Sequence, residues 1–287
     1  MNDRQHDQGR RRTLMGLAGA MAGMTAVRGA RAAGPLRIAV VGGIDRCGVW
    51  PRLAERAARA TALDIVTVAV APKEALLPVF RDGRADVMLI HGGDEVFGLA
   101  SEGWVGALSV WAFNDHVIVG PEDDPAGIGG TSDGIAAMRR LRDGRFPFVA
   151  FRDPGSHGIV QRLWRLGGIT PSEDWVQLDA ADNPHEILEF AAGRSAHVVV
   201  GRIPVLTGKR RLTGQRMLVA GDPAMRRAYV AAPPGPDHPA SEETREAAAR
   251  FIAFLVSPEG QSALAAADAG GPWLFPLDRT VRASKAG

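Results

Sequence analysis

The sequence predicts an α/β fold of two lobes joined by two chain crossings, and three observations carry that prediction. Beyond about residue 33, short apolar runs alternate with helical patterns, the order that builds a parallel sheet with helices on its faces. The alternation comes in two blocks, 36–90 and 148–200, with two further apolar runs close together between them. A late run, Ala228 to Ala232, then brings the chain back before two closing helical patterns. Such a chain places lobe I at 34–114 plus 229–287 and lobe II at 115–228. It binds ligand in the cleft between lobes and closes about the crossings as a hinge.

In chain order, Leu36 to Val41 is a continuous apolar run ending at Gly42-Gly43 and reads as a buried strand. A loop is expected from Gly42 to Val49. Pro51 suits an early helical position, and Leu53, Ala54, Ala57 and Ala58 recur at helical spacing. Leu63 to Val70 and Ala85 to Ile90 read as strands on either side of a short helix, Lys73 to Phe80. Gly106 to Ala112 and His116 to Gly120 read as two strands interrupted by Phe113-Asn114-Asp115. A helix follows from about Gly134 to Leu141.

Phe146 to Phe151 reads as a strand, and Ser156 is the expected N-cap of the helix after it, which stops at Gly167-Gly168. Trp175 to Leu178, His197 to Val200 and Met217 to Ala220 are further short runs, with a helix over Pro184 to Ala192. Glu242 to Val256 and Pro258 to Ala267 close the chain as helices.

The first 33 residues read as an export signal rather than as fold. Arg10-Arg11-Arg12 precedes an apolar run to Val27, and Ala30-Arg31-Ala32-Ala33 supplies a small-residue cleavage stretch. The arginine pair ahead of a short apolar segment is of twin-arginine type, which predicts a periplasmic protein with no stable membrane insertion after cleavage. Six arginines and two aspartates leave with that segment, so the remainder carries 28 basic and 30 acidic residues. A nucleic-acid footprint needs a basic patch. Only Lys209-Arg210-Arg211 approaches one, and it reads as a solvated turn. The single cysteine, Cys47, rules out an internal disulfide.

The stretch Phe148 to Gly158, FVAFRDPGSHG, joins a strand to a helix start through a turn holding an arginine. Helix N-termini present free N–H donors and partial positive charge, so they suit an anion. Arg152 adds a forked cationic donor, with Ser156 and His157 beside it. Across the cleft, Gly42 and Gly43 permit close backbone approach and Arg46 adds charge, while Asp45 opposes an anion unless a cation neutralises it. Trp50 reads as helix-start packing. Cys47, His91, His116 and His157 show no metal-ligand spacing. Ser156 with His157 and Asp153 lacks the context of a nucleophile elbow, so no enzyme and no cofactor are expected.

These residues resemble the periplasmic tungstate-binding proteins of ABC transporters, within the molybdate- and sulfate-type group of type II periplasmic binding proteins. ADVMLIH at Ala85 to His91 is similar to that family's third strand, and FNDHVIVGPEDDPAGIGG at Phe113 to Gly130 to its first crossing. FVAFRDPGSHG, followed by Trp164 and GGITPSEDW, resembles the second-lobe loop and helix. FIAFLVSPEGQSAL at Phe251 to Leu264 resembles a C-terminal helix pair shared more widely.

The resemblance implies a solute receptor for an ABC permease that is monomeric and holds a small anion. That anion is a tungstate- or molybdate-like oxyanion or a small anionic organic molecule. The site residues expected from the residue chemistry and the resemblance together are Gly42, Gly43, Arg46, His91, Arg152, Ser156, His157 and Arg202. Three departures accompany it. The first-lobe loop reads GGIDRCGVW in place of consecutive Thr and Ser. The second-lobe loop lacks a residue and its Thr. Gly201-Arg202-Ile203-Pro204 stands where the family has Asp-Arg-Gly-Thr. Lost hydroxyls predict weak or absent tungstate binding. They also motivate the alternative of a sensor or accessory protein that has left transport.

Overall fold

The computed structural model describes residues 34–277; the export signal expected at 1–33 lies outside the described residues. The chain opens with β1 (Leu36–Val41), α1 (Gly42–Arg46), α2 (Val49–Thr61), β2 (Ile65–Ala71), α3 (Lys73–Arg81), β3 (Val87–His91) and α4 (Asp94–Ser101). The middle holds β4 (Ser109–Pro121), α5 (Gly134–Asp143), β5 (Phe148–Ala150), α6 (Pro154–Gly167), β6 (Val176–Leu178), α7 (Ile187–Ala192), β7 (His197–Gly201), α8 (Arg202–Leu206) and β8 (Gln215–Val219). It closes with β9 (Arg226–Ala232), α9 (Glu242–Val256) and α10 (Pro258–Ala267).

The architecture is mixed α/β and two-lobed. In the first lobe β1 pairs in parallel with both β2 and β3, as the β-α-β-α-β order requires. Antiparallel β9 then joins β3 to β4. In the second lobe β5 is parallel to β6 and β7, while β4 runs antiparallel to β7 and β8. Helices pack against the sheet over apolar cores. Ile38, Leu53, Phe80, Trp111 and Phe251 pack in the first. Phe148, Leu163, Trp164 and Trp175 form an aromatic nucleus in the second. Trp50 is buried in the first-lobe core as helix-start packing, edge-on to Phe251 and hydrogen-bonded to Thr67 Oγ1 at 2.8 Å.

One expected break is absent. Phe113-Asn114-Asp115 does not separate two strands but lies inside the single 13-residue β4. Its first half pairs with β9 as far as Asp115 opposite Arg226, and its second half pairs with β7 from His116 opposite Gly201. The polar residues sit where the strand changes partners, and their side chains replace the packing that apolar residues supply elsewhere. Asp115 is fully buried and accepts the Gly221 N–H at 2.9 Å. Burial raises its pKa, partly offset by that bond and by Arg202 and Arg226. A buried carboxylate with a backbone donor and nearby arginines costs far less than an isolated one.

The expected loop after β1 is also different, because Gly42 to Arg46 forms the short helix α1 directly from the strand end. Asp153, not Ser156, is the N-cap of α6: its carboxylate accepts Ser156 N–H at 3.0 Å, and Pro154 occupies the first turn. Proline favours that turn because its missing N–H would have had no helical partner, and Asp is as good a cap as Ser. No helix of the described residues is long and apolar enough to cross a membrane.

Candidate functional site

Strand and helix ends from both lobes enclose a cleft of about 530 Å³, a size typical of small-molecule pockets. The first lobe contributes Gly42, Gly43, Asp45 and Arg46 from the end of β1 and α1, with His91 from the end of β3. Arg227 and Tyr229 come from β9, and Asn114 and His116 from β4. The second lobe adds Asp153 at the start of α6, and Lys209 and Arg210 after α8. Ligand sites gather at such carboxyl ends of strands, because the loops and helix starts there are free to vary over a fixed sheet.

Charge dominates this lining. Arg46, Lys209, Arg210 and Arg227 have no ion-pair partner among the described residues, whereas Lys73 pairs with Glu95 and Glu74. Arg210 lies flat on Phe151, 4.7 Å from the ring centroid, and its Nε is buried without an acceptor. Burial lowers the pKa of Arg210 and of Arg227, with Asp153 the leading opposing charge for both. Arg227 lies against two helix starts. A Cβ built on Gly155, in the first turn of α6, would stand 2.3 Å from its Nη1, and one on Gly93, the cap of α4, 3.2 Å from its Nη2. Only glycine leaves that space to the guanidinium. Charge removed from water and left unpaired in the protein is costly, and an incoming anion relieves the cost.

The neutral groups answer to that charge. Burial, reinforced by Arg227, pushes the His116 pKa down to about 4, and its Nδ1 is buried without a partner. Burial and then Arg227, His116 and Lys73 hold His91 well below the ordinary histidine value. Its ring stacks on Tyr229 with centroids 4.4 Å apart and contacts Asn114 Nδ2 at 3.4 Å. Burial alone would raise Asp153. The Ser156 N–H and the charges of Arg210, His116 and Arg227 outweigh it, and its pKa is lowered. At neutral pH the cleft therefore presents four cations with no ion pair among the described residues, an ionised Asp153, the further carboxyl groups of Asp45 and of Glu74, which pairs with Lys73, and two uncharged imidazoles.

Of the residues expected in the site, Gly42, Gly43, Arg46 and His91 line this cleft. The other four do not. Arg152 turns away, its guanidinium bonded to the Ala181 carbonyl and 3.4 Å from the buried Asp179 carboxylate. His157 is exposed on the outer side of α6 beside Gln161. Ser156 is buried, its N–H already taken by Asp153 and its Oγ without a partner. Arg202 starts α8 and lies 3.7 Å from Asp115, so its charge serves the crossing strand.

Sequence reasoning missed Arg210 and Arg227. Arg210 belongs to the run read as a solvated turn. Arg227 had a weak signal, an Arg-Arg pair opening the otherwise apolar strand at the return crossing. Cys47 is buried with its thiol on the Ile44 carbonyl, and burial raises its pKa. Among the described residues no trio of His, Cys, Asp and Glu is placed to hold a metal ion.

Comparisons with known proteins find likenesses in sequence and in fold. No family model matches. The chain is 27% identical over 237 residues to the tungstate-binding protein TupA of Peptoclostridium acidaminophilum, covering 81% of each. It is 28% identical over 207 residues to a putative ABC transporter anion-binding protein of Haloferax volcanii, covering 70% of this chain and 60% of that one. Among solved structures, the tungstate-binding protein TupA of Desulfovibrio alaskensis superposes with a TM-score of 0.66 at 22% identity, over 86% of this chain and all of that one. The chain is thus similar in sequence to one tungstate-binding protein and in fold to another.

Proposed function

We propose that this chain is an extracytoplasmic solute-binding protein that captures a small anion in its interlobe cleft and delivers it to an ABC permease. The observation that carries the reading is the convergence of Arg46, Lys209, Arg210 and Arg227, none of them ion-paired among the described residues, on one cleft. The relatives, described as tungstate- and anion-binding proteins, support it. Lobe I is taken as 34–114 plus 229–287 and lobe II as 115–228, a division supported by the change of partner between Asp115 and His116. Export by the twin-arginine route to the periplasm, as a monomer, completes the reading. The anion rests on Gly42, Gly43, Arg46 and His91 together with Arg227 and Arg210. Closing the cleft would have to reorient Arg152, Ser156, His157 or Arg202 for any of them to reach it.

Calorimetry on the mature protein with a panel of anions tests this directly. Binding that weakens with added salt is expected, because charge supplies most of the attraction. A protein that binds no anion at low salt would refute the assignment. Tungstate and molybdate are expected to bind weakly. Arginines and lysines replace the missing hydroxyls, and each charged hydrogen bond forgone costs about 1.5–3 kcal/mol. Nanomolar tungstate binding would restore the relatives' ligand to this chain.

A second reading, a sensor or accessory protein outside transport, is favoured by the altered first-lobe segment Gly42–Trp50. Failure of the anion-loaded protein to stimulate any permease encoded beside it would favour that reading.

A further inference from the structure

The wall around Arg227 offers hydrogen-bond acceptors as well as charge. In the pairing of β4 with β9, Asn114 stands directly opposite Arg227, and the side chains of such a pair lie side by side on one face of the sheet. Both line the cleft. Asn114 is buried with its Oδ1 unpartnered, while its Nδ2 contacts His91 Nε2 at 3.4 Å. His116, two residues along β4, is also buried with an unpartnered Nδ1. Asp153 approaches the same arginine from the start of α6. A Cβ built on Gly155 would lie 2.3 Å from Arg227 Nη1 and 3.2 Å from Asp153 Oδ2. Guanidinium and carboxylate therefore border one small space without forming an ion pair. Asp153 Oδ2 accepts the Ser156 N–H at 3.0 Å, and no described group donates to Oδ1.

The whole charge of the lining still favours an anion. Lys73 is taken up by Glu74 at 3.8 Å and by Glu95. Arg46, Lys209, Arg210 and Arg227 remain, against Asp45 and Asp153. Even with Glu95 counted, five cations face four carboxylates. An ionised carboxylate only accepts hydrogen bonds. Sulfate and tungstate carry no proton at neutral pH, so beside Asp153 they meet a like charge with nothing to donate. An oxyanion that keeps a proton brings the missing donor, and an O–H donating to a carboxylate makes a short, strong hydrogen bond.

Resting on the anion-receptor reading above, we propose that the ligand is a tetrahedral oxyanion that keeps a proton at neutral pH, of the phosphate class, and that Asp153 selects it by accepting a hydrogen bond from its hydroxyl. The deprotonated oxygens take the donors of Arg227, which the guanidinium fork presents in pairs. A second hydroxyl, where the anion carries two, meets the unpartnered Asn114 Oδ1. Asp153 is thus a specificity-determining residue: it costs every anion some attraction and repays only one that brings a donor.

Calorimetry on the mature protein at pH 7 and low salt tests this with two matched pairs, phosphate against sulfate and arsenate against selenate, and with tungstate. The members of a pair are close in size and shape and differ in the proton. Phosphate and arsenate are expected to bind about tenfold or more tighter than sulfate, selenate and tungstate. Asp153→Asn exchanges a pure acceptor for a side chain that also donates, and asparagine caps a helix as well as aspartate does. In that variant the preference within each pair should fall about tenfold or more, with sulfate gaining affinity, and thermal melting without ligand checks its fold. Sulfate or tungstate binding the wild type as tightly as phosphate would overturn the inference while the receptor reading stands. An unchanged preference in Asp153→Asn, or binding of a small organic anion alone, would do the same. If no anion binds, both fail.

Discussion

Arg152 and Arg227 stand at the same helix start, one in the chain just ahead of α6 and one packed against its first turn from β9. Sequence pattern singles out the first, because it lies in a turn between a strand and a helix. The cleft contains the second. Arg152 has spent its donors on Asp179 and the Ala181 carbonyl and remains 49% exposed, so water and protein already stabilise its charge. Arg227 is largely withdrawn from water and has no ion-pair partner among the described residues. An arginine becomes a ligand group when the fold leaves its donors unspent, and that is a property of its surroundings rather than of its sequence context. The same holds for the helix start itself, whose Ser156 N–H is satisfied by the chain's own Asp153, so the end is less open to an outside anion.

The largest effect expected from this difference is on acid stability. His116 is held neutral, its pKa near 4, by burial and then by Arg227. Its unfolded counterpart titrates at the ordinary value of about 6.5. A depressed folded-state pKa gives stability that is fully present above pH 6.5 and is lost as pH falls toward 4. Integrated over that window the loss is about 3 kcal/mol. Chemical denaturation at pH 7 and pH 4.5 should show it, and Arg227→Gln should shrink it by raising the His116 pKa. An unchanged pH profile in Arg227→Gln would mean the arginine's charge is already compensated.

Anion affinity gives the next largest effect. Arg227→Gln should weaken binding of the preferred anion by about 2 kcal/mol, roughly thirtyfold. Calorimetry decides it, and a wild-type affinity would remove Arg227 from the site.

A smaller effect comes from Gly155→Ala. The added methyl meets the guanidinium end of Arg227 at 2.3 Å and the Asp153 carboxylate at 3.2 Å. The helix gains propensity while the guanidinium is displaced. Thermal stability should hold or rise slightly, with affinity falling by on the order of 1 kcal/mol. Loss of stability with unchanged affinity would place the guanidinium elsewhere in solution.

The smallest effect is expected from Arg152→Ala, less than twofold in affinity, with only a modest stability cost for a half-exposed pair of about 0.5 kcal/mol. A tenfold loss would reverse the comparison and show that closure swings Arg152 into the cleft.

The alternation of apolar runs and helical patterns, read with a late return strand, was enough to place the strands of both lobes within a few residues. β1 at Leu36–Val41 was placed without error. Hydrophobic periodicity is local, and it specifies which face of each element is buried. The interruption at Phe113-Asn114-Asp115 was misread, because polar residues inside a strand look like a turn until their partners are known. Gly221 N–H and Arg202, the partners of Asp115 Oδ2, lie 106 and 87 residues away in sequence. Gly42, Gly43 and His91 lie at strand ends, and Arg46 at the end of the short helix that follows β1, so their nearness to the cleft follows from strand ends on a parallel sheet bordering it.

By itself, then, the sequence determined the α/β class, the two crossings and the strand ends that border the cleft, since all three follow from short-range patterns. Which cations remain unpaired was decided by the tertiary structure. Arg210 owes its burial to Phe151, and Arg227 its place to Gly93 and Gly155. Charge pairing is a long-range competition for partners, and only the folded chain reveals which donors lost it.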